Sequence, residues 1–295
     1  MATFISNPAA RALDEALLVR IAKDLPAADA PRWLAAVVAA DLFFTPGDKI
    51  ESKMLAEELR SKVDRRPIDV VVQPAERRRK RLLVADMEST MIGQECLDEL
   101  ADKVGLKQQI ATITERAMQG EIAFEPALRE RLALLRGLPR SIVDQVLRER
   151  VTLNPGAVEL VRTMRGHGAF TCLVSGGFTF FTEPIAAMIG FDEHRANRLV
   201  IRDDRIEGVE EPILGRDAKL NALLEIAAKL GLEPADALAV GDGANDVAML
   251  QAAGLGVAYR AKPRVAAAAR ARIDHGDLTA LLYIQGYSRD EFVKN

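Results

Sequence analysis

The sequence contains very few of the residues that form disulfide scaffolds and zinc sites. Two of its 295 residues are cysteine, Cys96 and Cys172, and they do not form a CxxC pair. Both lie among apolar neighbours, which favours buried free thiols and a reducing cytoplasm over a structural disulfide. The three histidines are scattered and do not cluster with the cysteines, so a zinc centre is not expected.

Long apolar runs and an excess of charge of one sign are also absent. The longest apolar stretch, from Trp33 to Phe44, is interrupted by Asp41, and the first residues lack a basic segment followed by an apolar one. We therefore expect neither a membrane span nor export. The 40 basic and 43 acidic residues leave a formal net charge of -3, which gives no general attraction to nucleic acid or lipid. A small diffusible substrate is expected instead. The sequence does not decide whether the protein forms a homodimer.

The length of the chain allows two or three structural units. Residues 1–80 are predicted to form a small α+β N-terminal domain, whose role the sequence does not indicate. Its predicted elements are helices at Leu13–Leu25, Arg32–Ala40 and Lys53–Val63 and a strand at Ile68–Val72. The basic run at 77–81 is predicted to be a solvated linker rather than a nucleic-acid patch, because no aromatic or other basic stripe accompanies it.

The rest of the chain combines a helical insertion with an alternation of strands and helices. Residues 94–153 have a helical pattern almost throughout and predict an all-α cap. In the segments 81–93 and 154–295, short apolar strands are separated by amphipathic helices, including an alanine-rich helix within Val265–Ile273. This alternation predicts an α/β core with a parallel sheet that is covered on both faces.

Three of the predicted strands end in polar residues. Leu82–Ala85 leads into Asp86, Phe170–Val174 into Ser175, and Ala237–Val240 into a glycine-rich segment that contains Asp242. Ligands of parallel α/β sheets bind beyond the carboxyl ends of the strands, so we expect these residues to share one crevice. Two acids facing one cleft would repel each other, and Mg²⁺ with oxygen ligands resolves that repulsion.

Such a site suits phosphate chemistry. With a phosphate at the metal, one carboxylate can attack phosphorus to form an aspartyl-phosphate, and an acid two residues along can protonate the leaving oxygen and then activate water. An anion attacking an anion needs positive charge and hydrogen-bond donors around the phosphate oxygens. Lys219, Ser175 and Gly176 are the candidates.

The segments "LLVADMEST" and "CLVSGGF", the isolated Lys219 and the segment "AVGDGANDVAML" resemble the four successive motifs of the haloacid dehalogenase superfamily. Longer segments, "DMESTMIGQECLDELA", "ITERAMQGEIAFEPALRERLALL", "VSGGFTFFTEPIA" and "ANRL", resemble the phosphoserine phosphatases within it, over about residues 81–285. The resemblance implies a Rossmann-like core with a cap. It also implies Mg²⁺-dependent hydrolysis of O-phospho-L-serine to L-serine and phosphate in L-serine biosynthesis.

The resemblance also implies residue roles by motif position. Asp86 is the expected nucleophile, Glu88 the general acid/base, and Asp246 a support for metal waters or Lys219. The expected metal ligands are Asp86, Asp242 and the main-chain carbonyl of Glu88. The expected substrate contacts are Ser175, the Gly176 amide and Lys219 for phosphate, Asn245 to order the site, Glu95 for the amino group of serine and Arg131 for its carboxylate.

Position 88 departs from the family pattern, which usually has aspartate there. The extra methylene moves the acid by about the length of one C–C bond, and a misplacement of about 1 Å can cost about 10²-fold in rate. We therefore expect intact binding of Mg²⁺ and phosphate, with the efficiency of acid/base catalysis as the open question. The alternatives are a phosphatase for another small phosphomonoester such as phosphohomoserine, a phosphotransferase, and a catalytically weakened ligand-binding homologue.

Overall fold

The computed structural model describes residues 1–45, 51–118, 121–215 and 217–293, and only the backbone of Met118. Residues 1–72 contain a βαββαβ unit, a common way to build a small α+β domain. Its elements are β1 (Ala2–Ser6), α1 (Glu15–Ala22), β2 (Arg32–Ala35), β3 (Ala39–Leu42), α2 (Ser52–Ser61) and β4 (Ile68–Val72). The four strands form one sheet in the order β2-β3-β1-β4, with antiparallel pairing throughout.

The predicted helix at Arg32–Ala40 is wrong, because these residues form most of the β2–β3 hairpin. Trp33 pairs with Ala40, and Val37 turns the chain with a φ of 56°. The apolar stretch has no clear helical or strand period, so pairing with the rest of the sheet decides its structure. Asp41 fixes the hairpin from inside, where it is fully buried and accepts a hydrogen bond from Thr3 Oγ1 at 2.8 Å.

The described residues of the second part of the chain form a six-stranded sheet, four cap helices and a separate hairpin. The cap helices are α3 (Cys96–Lys103), α4 (Lys107–Met118), α5 (Phe124–Leu135) and α6 (Ser141–Glu149). The core strands are β5 (Leu82–Ala85), β6 (Phe170–Phe178), β7 (Glu193–Asn197), β10 (Ala237–Gly241), β11 (Leu255–Tyr259) and β12 (Ala271–Ile273). The hairpin consists of β8 (Leu199–Arg202) and β9 (Arg205–Val209). The core helices are α7 (Ala157–Gly166), α8 (Thr179–Ile189), α9 (Ala218–Lys229), α10 (Val247–Ala252), α11 (Pro263–Ala268) and α12 (Ala280–Ile284).

The core sheet confirms the predicted α/β class. Its order is β12-β11-β10-β5-β6-β7, and all its neighbouring strands are parallel. Alternate residues of β5 face opposite layers: Leu83 and Ala85 pack in one hydrophobic cluster, and Leu82 and Val84 in another. Helices therefore cover both faces, as parallel sheets require. Within the described residues, no helix is long and apolar enough to cross a bilayer.

The strand register brings the polar strand ends to one edge of the sheet. Ala85 pairs with Val240 on one side and with Leu173 on the other. The residues that follow these three positions therefore lie at the same level along the sheet. This register is the reason that Asp86, the last residues of β6 and the loop after β10 meet.

The alanine-rich helix predicted at Ala266–Ala269, within Val265–Ile273, is confirmed except for its last residue, and the rest of that segment is not helical. The helix α11 has Pro263 in its first turn and ends at Ala268, and Ala271–Ile273 is the edge strand β12. Ile273 is fully buried and pairs with Tyr259. Burial in the sheet thus outweighs the helix propensity of alanine, which is a weak preference.

The prediction of a solvated linker at 77–81 is also wrong for two of its residues. Arg78 Nη1 lies 2.8 Å from Oδ2 of the buried Asp41, and Lys80 Nζ donates to the Ala235 carbonyl at 2.9 Å. A further junction is made by Asp69 of β4, which accepts hydrogen bonds from the backbone amides of Asp274 at 2.8 Å and Gly276 at 2.7 Å. Buried polar contacts therefore fix the N-terminal unit to the core.

The hairpin β8–β9 joins the core to the cap. The Gly137 amide donates to the Ile206 carbonyl at 2.8 Å, and the Ile206 amide donates to the Leu138 carbonyl at 2.9 Å. The Arg140 amide adds a bond of 2.8 Å to the Asp204 carbonyl. The loop between α5 and α6 is thus paired with the hairpin as an additional strand would be. This pairing attaches the cap to the core at a third place, besides its two chain connections.

Candidate active site

A buried ion-pair cluster lies at the carboxyl ends of β5 and β10. Lys219 Nζ is 2.6 Å from Asp86 Oδ1 and 2.6 Å from Asp246 Oδ1. All three side chains are almost fully buried. Charged groups in such a place require partners, and the sequence supplies them from three separate segments: the end of β5, the first turn of α9 and the loop before α10.

The glycine-rich loop after β10 closes tightly around Asp246. The Gly243 amide donates to Asp246 Oδ2 at 2.9 Å. A Cβ atom on Gly241 would lie 2.3 Å from Asp246 Cγ, so only glycine leaves room for this carboxylate. The segment "GDGAND" is therefore shaped to bring an acid back against the strand end, and its glycines are explained by close packing.

The acid cluster holds more negative charge than its lysine can neutralise. Carboxylate oxygens of Asp86, Asp242 and Asp246 all lie within 4.8 Å of one another. Burial, with repulsion from Asp246, raises the pKa of Asp86 well above its usual value. Burial raises the pKa of Asp242 to about 6, with repulsion from Asp246 and Glu95. Burial alone would lower the pKa of Lys219, but attraction to Asp86 and Asp246 outweighs it and raises the pKa.

These charges fit a divalent cation. Three carboxylates and one ammonium group leave two negative charges when all are ionised, which one M²⁺ ion would balance. The available donors are oxygens, which Mg²⁺ prefers, while zinc favours nitrogen and sulfur. The structure thus brings together the two side chains that the sequence predicts as metal ligands, and it adds Asp246 to the same cluster.

The predicted phosphate-binding segment lies at the end of β6. The strand continues to Phe178, beyond the predicted boundary at Val174, with an irregular register over 174–178. Ser175 is only 1% exposed, and its Oγ accepts a hydrogen bond from the Gly177 amide at 2.9 Å. A Cβ atom on Gly177 would lie 3.1 Å from this Oγ, so glycine keeps the serine hydroxyl accessible to its partners.

Glu88 connects Ser175, near the end of β6, to the first cap helix. Its Oε1 accepts a hydrogen bond from the Cys96 amide at 2.9 Å, in the first turn of α3, where the helix dipole favours an anion. Its Oε2 lies 3.3 Å from Ser175 Oγ, which donates to it. Burial raises the pKa of Glu88, and a raised pKa favours the protonated form that a general acid needs.

Two predicted substrate contacts, Glu95 and Arg131, are found in the cap near Glu88. Glu95 Oε1 accepts a hydrogen bond from Ser89 Oγ at 2.7 Å. Desolvation raises the pKa of Glu95 to about 7, and repulsion from Glu88 adds to it. Burial lowers the pKa of the half-buried Arg131, while the nearby charges of Asp98, Glu88 and Glu95 act in the opposite direction. An acid and a base of the cap therefore lie within electrostatic range of the catalytic candidates.

One predicted site residue is exposed, and three residues without a predicted role have contacts at the site. Asn245 is exposed on the glycine-rich loop, so its contact with a substrate stays a prediction. Two further residues, Thr90 and Asn154, had no predicted role. Thr90 Oγ1 donates to Asp242 Oδ1 at 3.3 Å, and Asn154 Nδ2 donates to the Thr90 carbonyl at 2.8 Å. Asn197, which binds the Gly176 carbonyl, also had no predicted role. Thr90 and Asn197 lie in segments that resemble the family, and this was the only sign of their importance.

Comparison with known proteins finds similar hydrolases and phosphatases. The sequence model of the family described as haloacid dehalogenase-like hydrolase matches residues 83–251. The chain is 46% identical over 208 residues to a phosphoserine phosphatase from Polaromonas sp. strain JS666, which covers 68% of this chain and 88% of that relative. The fold of this chain is similar to that of a HAD family hydrolase from Salmonella enterica serovar Typhi, with a TM-score of 0.85, 28% identity and 97% of both chains covered. A substrate-bound phosphoserine phosphatase structure aligns with a TM-score of 0.65 and 36% identity, over 70% of this chain and 98% of that one.

Proposed function

Because the chain belongs to the haloacid dehalogenase-like hydrolase family, we propose that it is a Mg²⁺-dependent phosphatase that hydrolyses O-phospho-L-serine to L-serine and phosphate. The observation that carries the proposal is the contact of Lys219 Nζ with both Asp86 and Asp246 at 2.6 Å. This cluster lies at the same edge of the sheet as Ser175 and Asp242. The names of the similar phosphatases support the choice of phosphoserine.

Asp86, Asp242 and the main-chain carbonyl of Glu88 would hold the Mg²⁺ ion. When bound, the ion supplies positive charge beside the phosphate oxygens. Asp246 keeps Lys219 in place through the contact described above, and Lys219 offsets the repulsion between the phosphate and Asp86. Ser175 Oγ and the Gly176 amide would donate hydrogen bonds to the remaining phosphate oxygens.

In the first step, a carboxylate oxygen of Asp86 attacks phosphorus and the bond between phosphorus and the serine oxygen breaks. Lys219 Nζ and the Met87 amide both contact Asp86 Oδ1, at 2.6 and 2.8 Å. These two donors fix the orientation of the attacking carboxylate. Protonated Glu88 gives its proton to the departing serine oxygen, which yields L-serine and an aspartyl-phosphate.

In the second step, water attacks the phosphorus of the aspartyl-phosphate. Ionised Glu88 takes a proton from that water while the bond between phosphorus and Asp86 breaks. Phosphate leaves, Asp86 is a carboxylate again, and Glu88 is protonated for the next turnover. The cap would exclude bulk water during the first step and open for the release of serine.

Glu95 and Arg131 would give the site its preference for an amino acid. A planar guanidinium binds a carboxylate with two parallel hydrogen bonds, so Arg131 suits the carboxylate of serine. Glu95 would accept hydrogen bonds from the ammonium group. A monoester without these two groups, such as an aryl phosphate, would use the core cluster alone.

We expect Arg131→Ala to lower kcat/KM for phosphoserine by about 10²-fold or more, because a charged hydrogen-bonded contact contributes about 2–5 kcal/mol. For an aryl phosphate such as p-nitrophenyl phosphate, the same variant should stay within about threefold of the wild type. Steady-state phosphate release with the two substrates measures the difference.

Arg129→Ala is the matched control for this experiment. Arg129 lies on the same helix and pairs with Glu211, but its side chain is half exposed, so its removal should change neither substrate much. Equal losses on both substrates with Arg131→Ala would contradict a role in amino-acid recognition. Such a result would favour an enzyme for another small phosphomonoester.

The biological setting belongs to the same proposal. L-serine formation places the enzyme in serine biosynthesis, and two free buried thiols, Cys96 and Cys172, are compatible with the cytoplasm. A phosphotransferase remains the second candidate, since Asp86 could pass its phosphoryl group to an alcohol. Product analysis in the presence of acceptor alcohols distinguishes the two, because only a phosphotransferase would form a new phosphate ester.

A further inference from the structure

A buried asparagine outside the described catalytic set touches the phosphate-binding segment. Asn197, the last residue of β7, is 3% exposed. Its Nδ2 donates to the Gly176 carbonyl at 2.9 Å, and its Oδ1 accepts from the Leu214 amide at 2.7 Å. Both ends of its amide group are therefore bonded to backbone, one in the segment after Ser175 and one in the loop before α9.

The bond to Gly176 acts on one peptide unit. The Gly176 carbonyl and the Gly177 amide belong to the same planar peptide group. Asn197 holds the carbonyl side, and the amide side donates to Ser175 Oγ at 2.9 Å. Rotation of this peptide would move its N–H away from the hydroxyl, so Asn197 fixes the direction from which Ser175 Oγ receives a hydrogen bond.

The orientation of the Ser175 hydroxyl follows from that bond. A hydroxyl has one proton to donate and two lone pairs. With one lone pair engaged by the Gly177 amide, the proton is directed towards the other side, where Glu88 Oε2 lies at 3.3 Å. In the proposed reaction, the same proton would be donated to a phosphate oxygen.

We propose that Asn197 is a positioning residue that orients the Ser175 hydroxyl for phosphate through the 176–177 peptide. This inference rests on the proposed function for its substrate. It concerns the chain from Asn197 through the peptide to Ser175, which is a different claim from the identity of the leaving group.

The place of Asn197 in the chain also couples this peptide to the cap. Asn197 immediately precedes the hairpin β8–β9, and the base of the hairpin is closed by a bond of 2.8 Å from the Glu210 amide to the Arg198 carbonyl. Leu214, whose amide donates to Asn197 Oδ1, follows the hairpin in sequence, so the Asn197 side chain is bonded to the segment that leaves the hairpin. Because the hairpin is paired with the loop between α5 and α6, the phosphate-binding segment and the cap share one anchor.

Asn197→Asp separates the two bonds of this side chain. An aspartate oxygen can still accept from the Leu214 amide, but an ionised carboxylate cannot donate to the Gly176 carbonyl. We expect kcat for phosphoserine to fall by at least about 10-fold, since a misplacement of about 1 Å can cost about 10²-fold. An unchanged kcat would overturn the proposal.

A double-mutant cycle with Ser175→Ala tests whether Asn197 acts through that hydroxyl. If it does, Asn197→Asp should have little further effect, within about threefold, once the hydroxyl is gone. A residue that only stabilises the fold would lower activity by the same factor in both backgrounds. Independent, multiplicative losses would therefore show that Asn197 has a structural role alone, and the proposal would fail.

Thr182→Val is the matched control. Thr182 is fully buried, and its Oγ1 lies 3.0 Å from Nδ1 of His194 in the same strand β7. Its removal breaks a buried polar contact of β7 without touching Gly176. We expect similar thermal destabilisation in the two variants, with the loss of kcat and the non-additivity confined to Asn197→Asp.

Binding of orthovanadate, a phosphate analogue, separates failure of this inference from failure of the proposed function. Calorimetric titration of the Mg²⁺-loaded protein should show affinity at least about 10-fold weaker for Asn197→Asp than for the wild type, in proportion to the expected loss of kcat. If the wild type does not hydrolyse phosphoserine, weakened binding still supports the role of Asn197 and only the substrate assignment fails. Unchanged vanadate affinity with an active wild type overturns the role of Asn197 alone, and unchanged affinity with an inactive wild type overturns both.

Discussion

Asp86→Asn should lower phosphate release by at least about 10⁴-fold, as removal of an enzyme nucleophile does. The amide keeps the shape of the side chain but has no carboxylate oxygen to attack phosphorus. Phosphate release from phosphoserine, measured under saturating substrate and Mg²⁺, gives the size of the loss. Residual turnover within about 10-fold of the wild type would show that another group is the nucleophile.

The same substitution should leave the folded state as stable as before, or more stable. Burial and repulsion raise the pKa of Asp86, so its ionised form is disfavoured in the folded protein. An acid whose pKa is higher in the folded than in the unfolded protein stabilises the folded state at pH values below its unfolded pKa. This stabilisation is lost as the pH rises through its folded pKa. The asparagine side chain is uncharged at every pH, so the variant does not carry the cost of burying an ionised Asp86. Thermal unfolding without Mg²⁺ measures this effect, which has the opposite sign to the effect on activity.

Asp277→Asn is the control for the pair of measurements. Asp277 is a half-buried acid whose pKa is also raised by burial, and its neighbours are Thr279 and Arg260 rather than the catalytic cluster. The variant should retain turnover within about threefold of the wild type. If both variants lose activity together with stability, the loss in Asp86→Asn reflects unfolding rather than chemistry.

Lys219→Met should impair both stability and turnover. Removing one partner of a buried charge cluster costs about 3–5 kcal/mol of the free energy of unfolding, because the remaining charges stay buried without compensation. Turnover should fall by about 10²–10³-fold, the usual effect of losing a group that stabilises charge in the transition state. Chemical denaturation and phosphate release measure the two losses.

The loss of stability in Lys219→Met should depend on pH. Without the lysine, protonation is the remaining way to relieve the repulsion among Asp86, Asp242 and Asp246. The pKa of Asp242 is already raised to about 6 with Lys219 present, and removal of the positive charge raises it further. The variant should therefore be closer to the wild type at pH 6 than at pH 8, whereas a pure packing defect would give the same difference at both.

Lys103→Met controls for the general effect of removing a lysine. Lys103 pairs with Glu149 at 2.5 Å on the cap surface, where the glutamate is half exposed. Such pairs contribute about 0–1 kcal/mol. A loss of 3 kcal/mol or more at both lysines would contradict the special status of Lys219.

The strand ends were predictable because they depend on local patterns that a parallel sheet preserves. Leu82–Ala85 is a short apolar strand in the sequence and in the structure. Its register with Ala237–Val240 follows from parallel pairing, and this places Asp86 beside the loop that holds Asp242. The structure thus brings Asp86 and Asp242 together as the pattern of strand ends predicts.

The errors arose where contacts distant in sequence decide the structure. Trp33 and Ala40 are paired in a hairpin that apolar periodicity alone did not distinguish from a helix. Arg78 looked like part of a solvated basic run, but the buried Asp41 gives it a partner 37 positions away in the chain. Asn197 had no predicted role because its two partners, Gly176 at the end of β6 and Leu214 in the loop before α9, are distant from it in sequence.

Glu88 is the position at which the sequence leaves the efficiency of acid/base catalysis open. The structure shows its carboxylate 3.3 Å from Ser175 Oγ, so the extra methylene does not remove the acid from the phosphate-binding segment. Its second oxygen is held by the Cys96 amide at 2.9 Å. This arrangement keeps the acid inside the site, and it leaves turnover itself as the deciding observation between an enzyme and a ligand-binding homologue.

The most direct measurement is phosphate release from O-phospho-L-serine by the wild-type protein, with Mg²⁺ and after its removal by a chelator. We predict release that stops on chelation and returns when Mg²⁺ is added back. No release from phosphoserine or any other small monoester, with tight binding of phosphoserine retained, would contradict a phosphatase and favour a binding protein. Release that continues unchanged after chelation would contradict a metal at Asp86 and Asp242.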